Sequence, residues 1–262
     1  MNPFSVLKYI FISLLFVPVF LSCSKQGAET VSSPGNVLQL QFMLDEGSPY
    51  FSLQRGGQYV IMPSALGLRF EALNNLDANF QLISATVKNV SGTWEQPWGE
   101  MQHVKNEYNE LTVSLQQQDE AQTRMEIIFR LYDDGVGFRY HIPQQKHIGE
   151  FRLMDERTEF VLPADHKAWW IPAFDDMKYE LLYKQSLVSE MDTAHTPVTL
   201  ETANGLYLSF HQAALIDYAA MALAPAKSNA LQCELVPWAD GTKVYGKGQL
   251  TTPWRTVQVA EN

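Results

Sequence analysis

Phe129-Arg-Leu-Tyr-Asp-Asp-Gly-Val-Gly-Phe-Arg-Tyr140 reads as two short strands, aromatic and charged residues alternating, folded around a tight turn. Asp134-Gly135 marks the turn. A type I′ hairpin needs positive φ at both central residues, and Asp-Gly meets that need at little steric cost. A hairpin in mid-chain says that strands here pair with their sequence neighbours, which sets the expectation for the rest.

Outward from this hairpin the same grammar repeats. Alternating or β-branched runs occur at 37–44, 50–53, 58–62, 80–89, 103–117, 124–132, 137–142, 156–162, 198–200, 206–211, 231–237 and 253–259. Turn residues such as Asp45-Glu-Gly-Ser-Pro49 and Arg55-Gly-Gly57 separate them. Only 176–189 and 212–222 have helical character, at most one or two turns each. Turn signals at near-regular spacing with few 3.6-residue periods argue for an all-β sandwich or barrel. So many strands require two packed sheets, because an open twisted sheet rarely exceeds about ten. The pattern therefore predicts one large two-sheet β-sandwich over 37–262.

The chain is 262 residues long and 46% hydrophobic, enough for a single sizeable core. Its net charge is −10, and a chain so acidic repels phosphate backbones and anionic headgroups, which excludes nucleic acid as a partner. Residues 9–22 form an apolar run behind Lys8, too short to span a membrane and suited to the core of a secretory signal over 1–22. Phe20-Leu-Ser-Cys23 resembles a bacterial lipoprotein processing site, with Cys23 becoming the lipidated N-terminus. Residues 23–36 then read as a flexible tether. The expectation is an outer-membrane lipoprotein facing the periplasm or the cell surface, touching the membrane only through its lipid. Cys233, left without a disulfide partner, reads as a core residue of the alternating strand Leu231-Gln-Cys-Glu-Leu-Val236.

Candidate chemistry centres on carboxylates beside aromatics. Glu95 and Glu100 bracket Gln96-Pro-Trp-Gly99, where an exposed Trp could stack on the apolar face of a sugar ring. Trp94 and Trp98 read equally as core anchors or as contacts for a neighbouring domain. Asp133 and Asp134 read as turn formers. Lys167-Ala-Trp-Trp-Ile-Pro-Ala-Phe-Asp-Asp-Met-Lys-Tyr-Glu-Leu-Leu-Tyr183 packs five aromatics and three acids into 17 residues, and Pro172 argues for a long shaped loop. Asp175, Asp176, Glu180 and Glu190 complete the acidic set. The six histidines read as structural or surface residues. Nucleophile-elbow and phosphate-loop motifs are absent, and Gly135-Val-Gly137 belongs to the hairpin.

Taken together, 129–140, Gln96-Pro-Trp-Gly-Glu100, Trp169-Trp170-Ile-Pro, Tyr179-Glu180 and Thr252-Pro-Trp-Arg-Thr256 resemble the N-terminal domain of glycoside hydrolase family 97. The resemblance covers roughly 37–260. It implies a β-super-sandwich like that of galactose mutarotases, standing before a catalytic (β/α)8 barrel that acts on α-glucosides or α-galactosides. In calcium-dependent members the glutamate of the Tyr-Glu motif reaches a calcium ion in the barrel, which assigns that role to Glu180. Trp98, Glu100, Trp169, Trp170 and Tyr179 become the expected contacts to an α-linked oligosaccharide or to the barrel, in cis or in trans. Phe174 and Trp254 are further docking candidates. The family's catalytic acid and base belong to the barrel and match nothing here, so this chain alone is expected to be inert. A stand-alone carbohydrate-binding lipoprotein and a mutarotase-like epimerase are the competing readings.

Overall fold

The computed structural model describes residues 27–174, 180–227 and 229–261. In chain order the strands are β1 (Gly27–Ser32), β2 (Leu38–Asp45), β3 (Ser48–Arg55), β4 (Gln58–Ala65), β5 (Leu68–Glu71), β6 (Phe80–Glu95) and β7 (His103–Gln117). They continue as β8 (Arg124–Tyr132), β9 (Gly135–Ile142), β10 (Glu150–Glu156), β11 (Glu159–Val161), β12 (Lys167–Pro172), β13 (Lys184–Leu187) and β14 (Ala194–Glu201). The last are β15 (Tyr207–Ala213), β16 (Met221–Ala226), β17 (Ala230–Leu235), β18 (Val244–Lys247), β19 (Leu250–Thr251) and β20 (Trp254–Ala260).

Among the described residues these strands pair into three antiparallel sheets. The large sheet runs β11-β17-β16-β14-β15-β20-β9-β8-β7-β6, with β12 branching from β14, β13 pairing β12 and β19 pairing β9. A four-stranded sheet, β1-β2-β3-β4, and a three-stranded sheet, β18-β10-β5, are the smaller partners. The fold is thus the expected all-β sandwich, with its second sheet divided in two. Strand β14 shows how the large sheet bends. Ala194 and His195 pair with β16, while 198–201 pair with β15, and Pro197, which has no N–H for a ladder, sits at the change of partner.

Alternation supplies the core. Along β8 every second side chain, Met125, Ile127, Phe129 and Leu131, is buried. Phe42 and Phe51 of the four-stranded sheet meet Phe129, Phe138 and Phe160 of the large sheet, with ring centroids 5.0–6.4 Å apart. Phe70 and Phe151 make an edge contact within the three-stranded sheet. Cys233 is fully buried and its thiol is pushed well above its ordinary value, first by burial and then by Glu156.

Several local expectations are corrected. The hairpin forms, but its loop is Asp133-Asp134, because Tyr132 pairs with Gly135. Positive φ occurs at none of the three, so the turn is not type I′. Gly135 serves a different need: a Cβ there would lie 2.6 Å from the Val257 carbonyl oxygen of β20. Within the expected tether, 27–32 forms β1, paired along its length with β2 and burying Val31. Trp169 and Trp170 lie on β12, not in a loop. The expected helix at 212–222 is absent, since Ala214 and Asp217 have positive φ. In the other, Lys184–Leu187 is a strand followed by a single 3₁₀ turn at Val188–Glu190; residues 176–179 of it lie outside the described residues.

Replacing Gly135 by Ala should destabilise the domain by about 1–3 kcal/mol, since the obstacle is backbone; chemical denaturation measures it. Cys233 should resist a thiol reagent in the native domain and react fully once denatured.

Candidate functional site

The site is built at one end of the large sheet. There β12 ends at Pro172, opposite Ala194 at the start of β14, and Ala194 pairs with Leu223 of β16. Two excursions leave this end: 173–183 between β12 and β13, and 214–220 between β15 and β16. Ala173 donates to the Thr193 carbonyl at 2.8 Å, which fixes the first excursion at its root. Phe174 follows with φ of 60°, a region that bulky side chains rarely occupy.

Glu180 stands exposed on this excursion, and among the described residues it has no ion-pair partner. Farther along the same connection Leu182 is 89% exposed and Tyr183 61%, and Phe174 at its start is also exposed. Leu215 and Ile216 add an exposed apolar pair on the second excursion. Tyr179, Asp175 and Asp176 lie outside the described residues, as does Cys23.

The other predicted contacts are divided. Trp170 is buried, and its indole N–H donates to Ser186 Oγ at 3.1 Å, which makes it a core residue not offered to a ligand. Trp169 is half-buried beside Tyr207, with Lys167 Nζ 4.6 Å from its ring. Trp98 and Glu100 lie on an arm. Beyond Asn109, where pairing with β8 stops, β6 and β7 pair only with each other out to Glu95 and His103. At its tip Trp98 is 82% exposed, and Trp94 and Met101 are exposed too, so neither tryptophan is a core anchor. Six ladder steps separate β12 from β7, roughly 29 Å measured along the sheet. The candidate carboxylates therefore sit on separate elements: Glu95 and Glu100 on the arm, Asp133 and Asp134 at the hairpin, Glu180 and Glu190 beside β13.

A calcium ion takes six to eight oxygens. Among the described residues no group of three or more His, Cys, Asp or Glu side chains is gathered to hold a metal. Glu180 alone does not fit a calcium site; it could supply only one ligand to a site completed elsewhere.

Beside the loop 214–220 lies a cluster the motif reading did not single out. Glu156 and Arg255 are both fully buried and joined twice, Nε to Oε1 at 2.8 Å and Nη2 to Oε2 at 2.7 Å. Thr158 Oγ1 and the Tyr218 hydroxyl donate to the same carboxylate at 3.0 and 2.8 Å. Tyr140 donates to Thr158, and Gly67 N–H donates to Tyr140. Gln212 Oε1 accepts from Arg255 Nη1 and from Met221 N–H, both at 3.0 Å. The pair thus holds the loop 214–220 through Gln212, Tyr218 and Met221. Burial alone would raise the Glu156 pKa; the guanidinium and the four hydrogen bonds outweigh it and hold the carboxyl below its ordinary 4.5. Burial would likewise lower Arg255, and Glu156 reverses it, so its pKa lies above the usual value.

Residues 31–262 match the family model described as glycosyl-hydrolase 97 N-terminal. The chain belongs to this family. A family 97 enzyme from Pseudoalteromonas sp. strain K8, solved in complex with panose, is 33% identical with a TM-score of 0.87 over 89% of this chain and 36% of its own. The same enzyme has been solved with acarbose. A probable retaining α-galactosidase of Streptomyces bingchenggensis is 24% identical over 88% of this chain, and a retaining α-galactosidase of Bacteroides thetaiotaomicron 21% over 93%. The chain spans only 36% and 38% of the lengths of those two relatives. A β-arabinopyranosidase, 23% identical with a TM-score of 0.81, shares the fold.

Removing either partner of the buried pair, as in Glu156→Ala or Arg255→Ala, should cost about 3–5 kcal/mol in thermal or denaturant unfolding. Because the folded pKa of Glu156 lies below its unfolded value, its contribution is complete above about pH 4.5 and lost as pH falls through the folded value. Acid unfolding of Glu156→Gln should lack this component, and an unchanged acid limb would contradict the assignment.

Proposed function

We propose that this chain is the N-terminal β-sandwich domain of an α-glycosidase, docking on a catalytic (β/α)8 barrel and lending Glu180 to a calcium site on that barrel. The observation that carries the reading is the bare apolar end of the sandwich. Phe174, Leu182 and Tyr183 are exposed on the same connection as the exposed Glu180, and Leu215 and Ile216 leave the same end of the sheet. Large exposed apolar groups rimmed by polar ones mark a surface meant to be covered. Interdomain contacts within one chain bury roughly 600–1,500 Å².

The chemistry divides accordingly. A barrel supplies the acid and base that glycoside hydrolysis needs on either side of the scissile bond. This domain supplies rigidity and one oxygen ligand. Substrates of this class are α-linked oligosaccharides of glucose or galactose, in keeping with the panose and acarbose complexes of the Pseudoalteromonas enzyme and the α-galactosidase relatives. Trp98, Glu100, Trp169 and Tyr179 remain the contacts assigned to substrate or barrel. Lipidated Cys23 would hold the assembly at the outer membrane.

Mixing the chain with the separately expressed barrel of a family 97 relative tests this reading. Sedimentation should show a one-to-one complex, and the chain alone should release no sugar from α-glucosides or α-galactosides. In the complex Glu180→Gln should weaken calcium binding about tenfold, through loss of one charged ligand, without preventing association. Absence of a complex, or calcium affinity indifferent to Glu180, would refute it.

A further inference from the structure

The three-stranded sheet carries a surface that none of this uses. Trp238 and Tyr245 stand side by side in solvent, 63% and 56% exposed, with ring centroids 6.4 Å apart and planes inclined at 55°. Single exposed aromatics are ordinary on protein surfaces, but two adjacent ones held in fixed positions are not accounted for by folding. Both are held. Trp238 N–H donates to the Thr242 carbonyl at 2.8 Å and its own carbonyl accepts from Gly241 N–H at 2.9 Å. Tyr245 lies on β18 opposite Arg152 of β10. Its hydroxyl donates to Asp240 Oδ2 at 2.6 Å, and Thr242 N–H donates to Asp240 Oδ1 at 3.1 Å. Arg152 joins the group, with Nη1 3.5 Å from Asp240 Oδ2 and Nε 2.9 Å from Glu71 Oε2. A groove of about 880 Å³ opens beside Tyr245, bordered by Glu71, Arg152, Asp240, Glu150 and Lys247.

We propose that the Trp238–Tyr245 pair and the adjoining Glu71–Arg152–Asp240 groove form a binding site for a neutral α-linked oligosaccharide. A pyranose ring has an apolar C–H face and a rim of hydroxyls that both donate and accept. Two exposed aromatic rings beside planar carboxylate and guanidinium groups match that division. With the rings inclined at 55°, two sugars stacked one on each would not be coplanar, a bend that α-linked chains make more readily than extended β-linked ones. The Tyr245 hydroxyl, then the Thr242 amide, holds the Asp240 carboxyl below its usual range, so it stays an ionised acceptor at neutral pH. Carboxylates and cations alternate along the groove, which suits hydroxyls better than an apolar or singly charged partner. The choice of α-linked sugars rests on the functional reading above.

The test is titration of the ¹⁵N-labelled chain with maltotriose, raffinose and cellotriose, following the indole N–H signals, paired with electrophoresis through gels containing soluble α-glucan. The Trp238 signal should shift saturably with an α-linked sugar. Trp238→Ala and Tyr245→Ala should each weaken retention about tenfold, the loss of roughly one stacking contact. Both rings are surface groups, so melting temperature should barely change, and Tyr245→Phe should keep most of the retention by keeping the ring. No Trp238 shift with either α-sugar, or retention unchanged in both alanine variants, overturns the proposal. If the chain docks on a family 97 barrel while Trp238 stays silent, the site falls and the functional reading stands. A saturable α-sugar shift with no docking has the opposite meaning. A shift with cellotriose alone overturns the site and counts against the α-glycosidase reading too.

Discussion

The fully buried Glu156–Arg255 pair is the constraint on which the arrangement of this domain depends. Taking two charges out of water costs several kcal/mol each, and their attraction compensates only if every remaining donor and acceptor is satisfied. Here the carboxylate receives four hydrogen bonds, two from Arg255 and one each from Thr158 and Tyr218. Together they tie three parts of the fold. Glu156 ends β10 in the three-stranded sheet, Arg255 lies on β20 in the large sheet, and Tyr218 belongs to the loop 214–220. Hydrophobic contact would tolerate sliding of one sheet over another, whereas a bidentate pair with no slack does not. The pair therefore sets the register of the two layers and, through Gln212 and Tyr218, the shape of the loop that carries Leu215 and Ile216.

From this follows a division of labour over the surface. Among the described residues the most exposed large apolar groups include Leu182, Tyr183 and Ile216 at the end bearing β12 and the loop 214–220, Trp98 on the arm of β6 and β7, and the Trp238–Tyr245 pair. The arm is a two-stranded ribbon exposed on both faces, a form that is marginal alone in water and gains order from the sheet that continues it. Among the described residues the candidate carboxylates are scattered over different elements.

Much of the fold was legible because alternation with a period of two is a local signal. The runs 103–117 and 124–132 are the strands β7 and β8 to the residue. What failed was set by distant contacts. Gly135 signalled a turn, but its small size is needed for the approach of Val257, more than 100 positions away. The sequence 212–222 has helical composition, yet Gln212 is held by Arg255 and the loop takes positive φ at Ala214 and Asp217. Trp169-Trp170 looked like loop because Pro172 follows, although Pro172 is only the last residue of β12. The buried pair could have been suspected from Arg255 alone, a charged residue at an inward position of an alternating strand. Its partner 99 residues earlier leaves no such mark. Of the candidate contacts, Glu180 and Trp98 stand exposed and Trp170 is buried, a difference the motif does not carry because the inward or outward sense of a strand residue depends on its register.

Hydrogen–deuterium exchange of this chain, alone and with the barrel of a family 97 relative, addresses the central claim most directly. The account predicts new protection in 173–187 and 214–220, with no change at the 238–245 segment. Protection confined to other surfaces, or none under conditions where the two proteins sediment together, would contradict it.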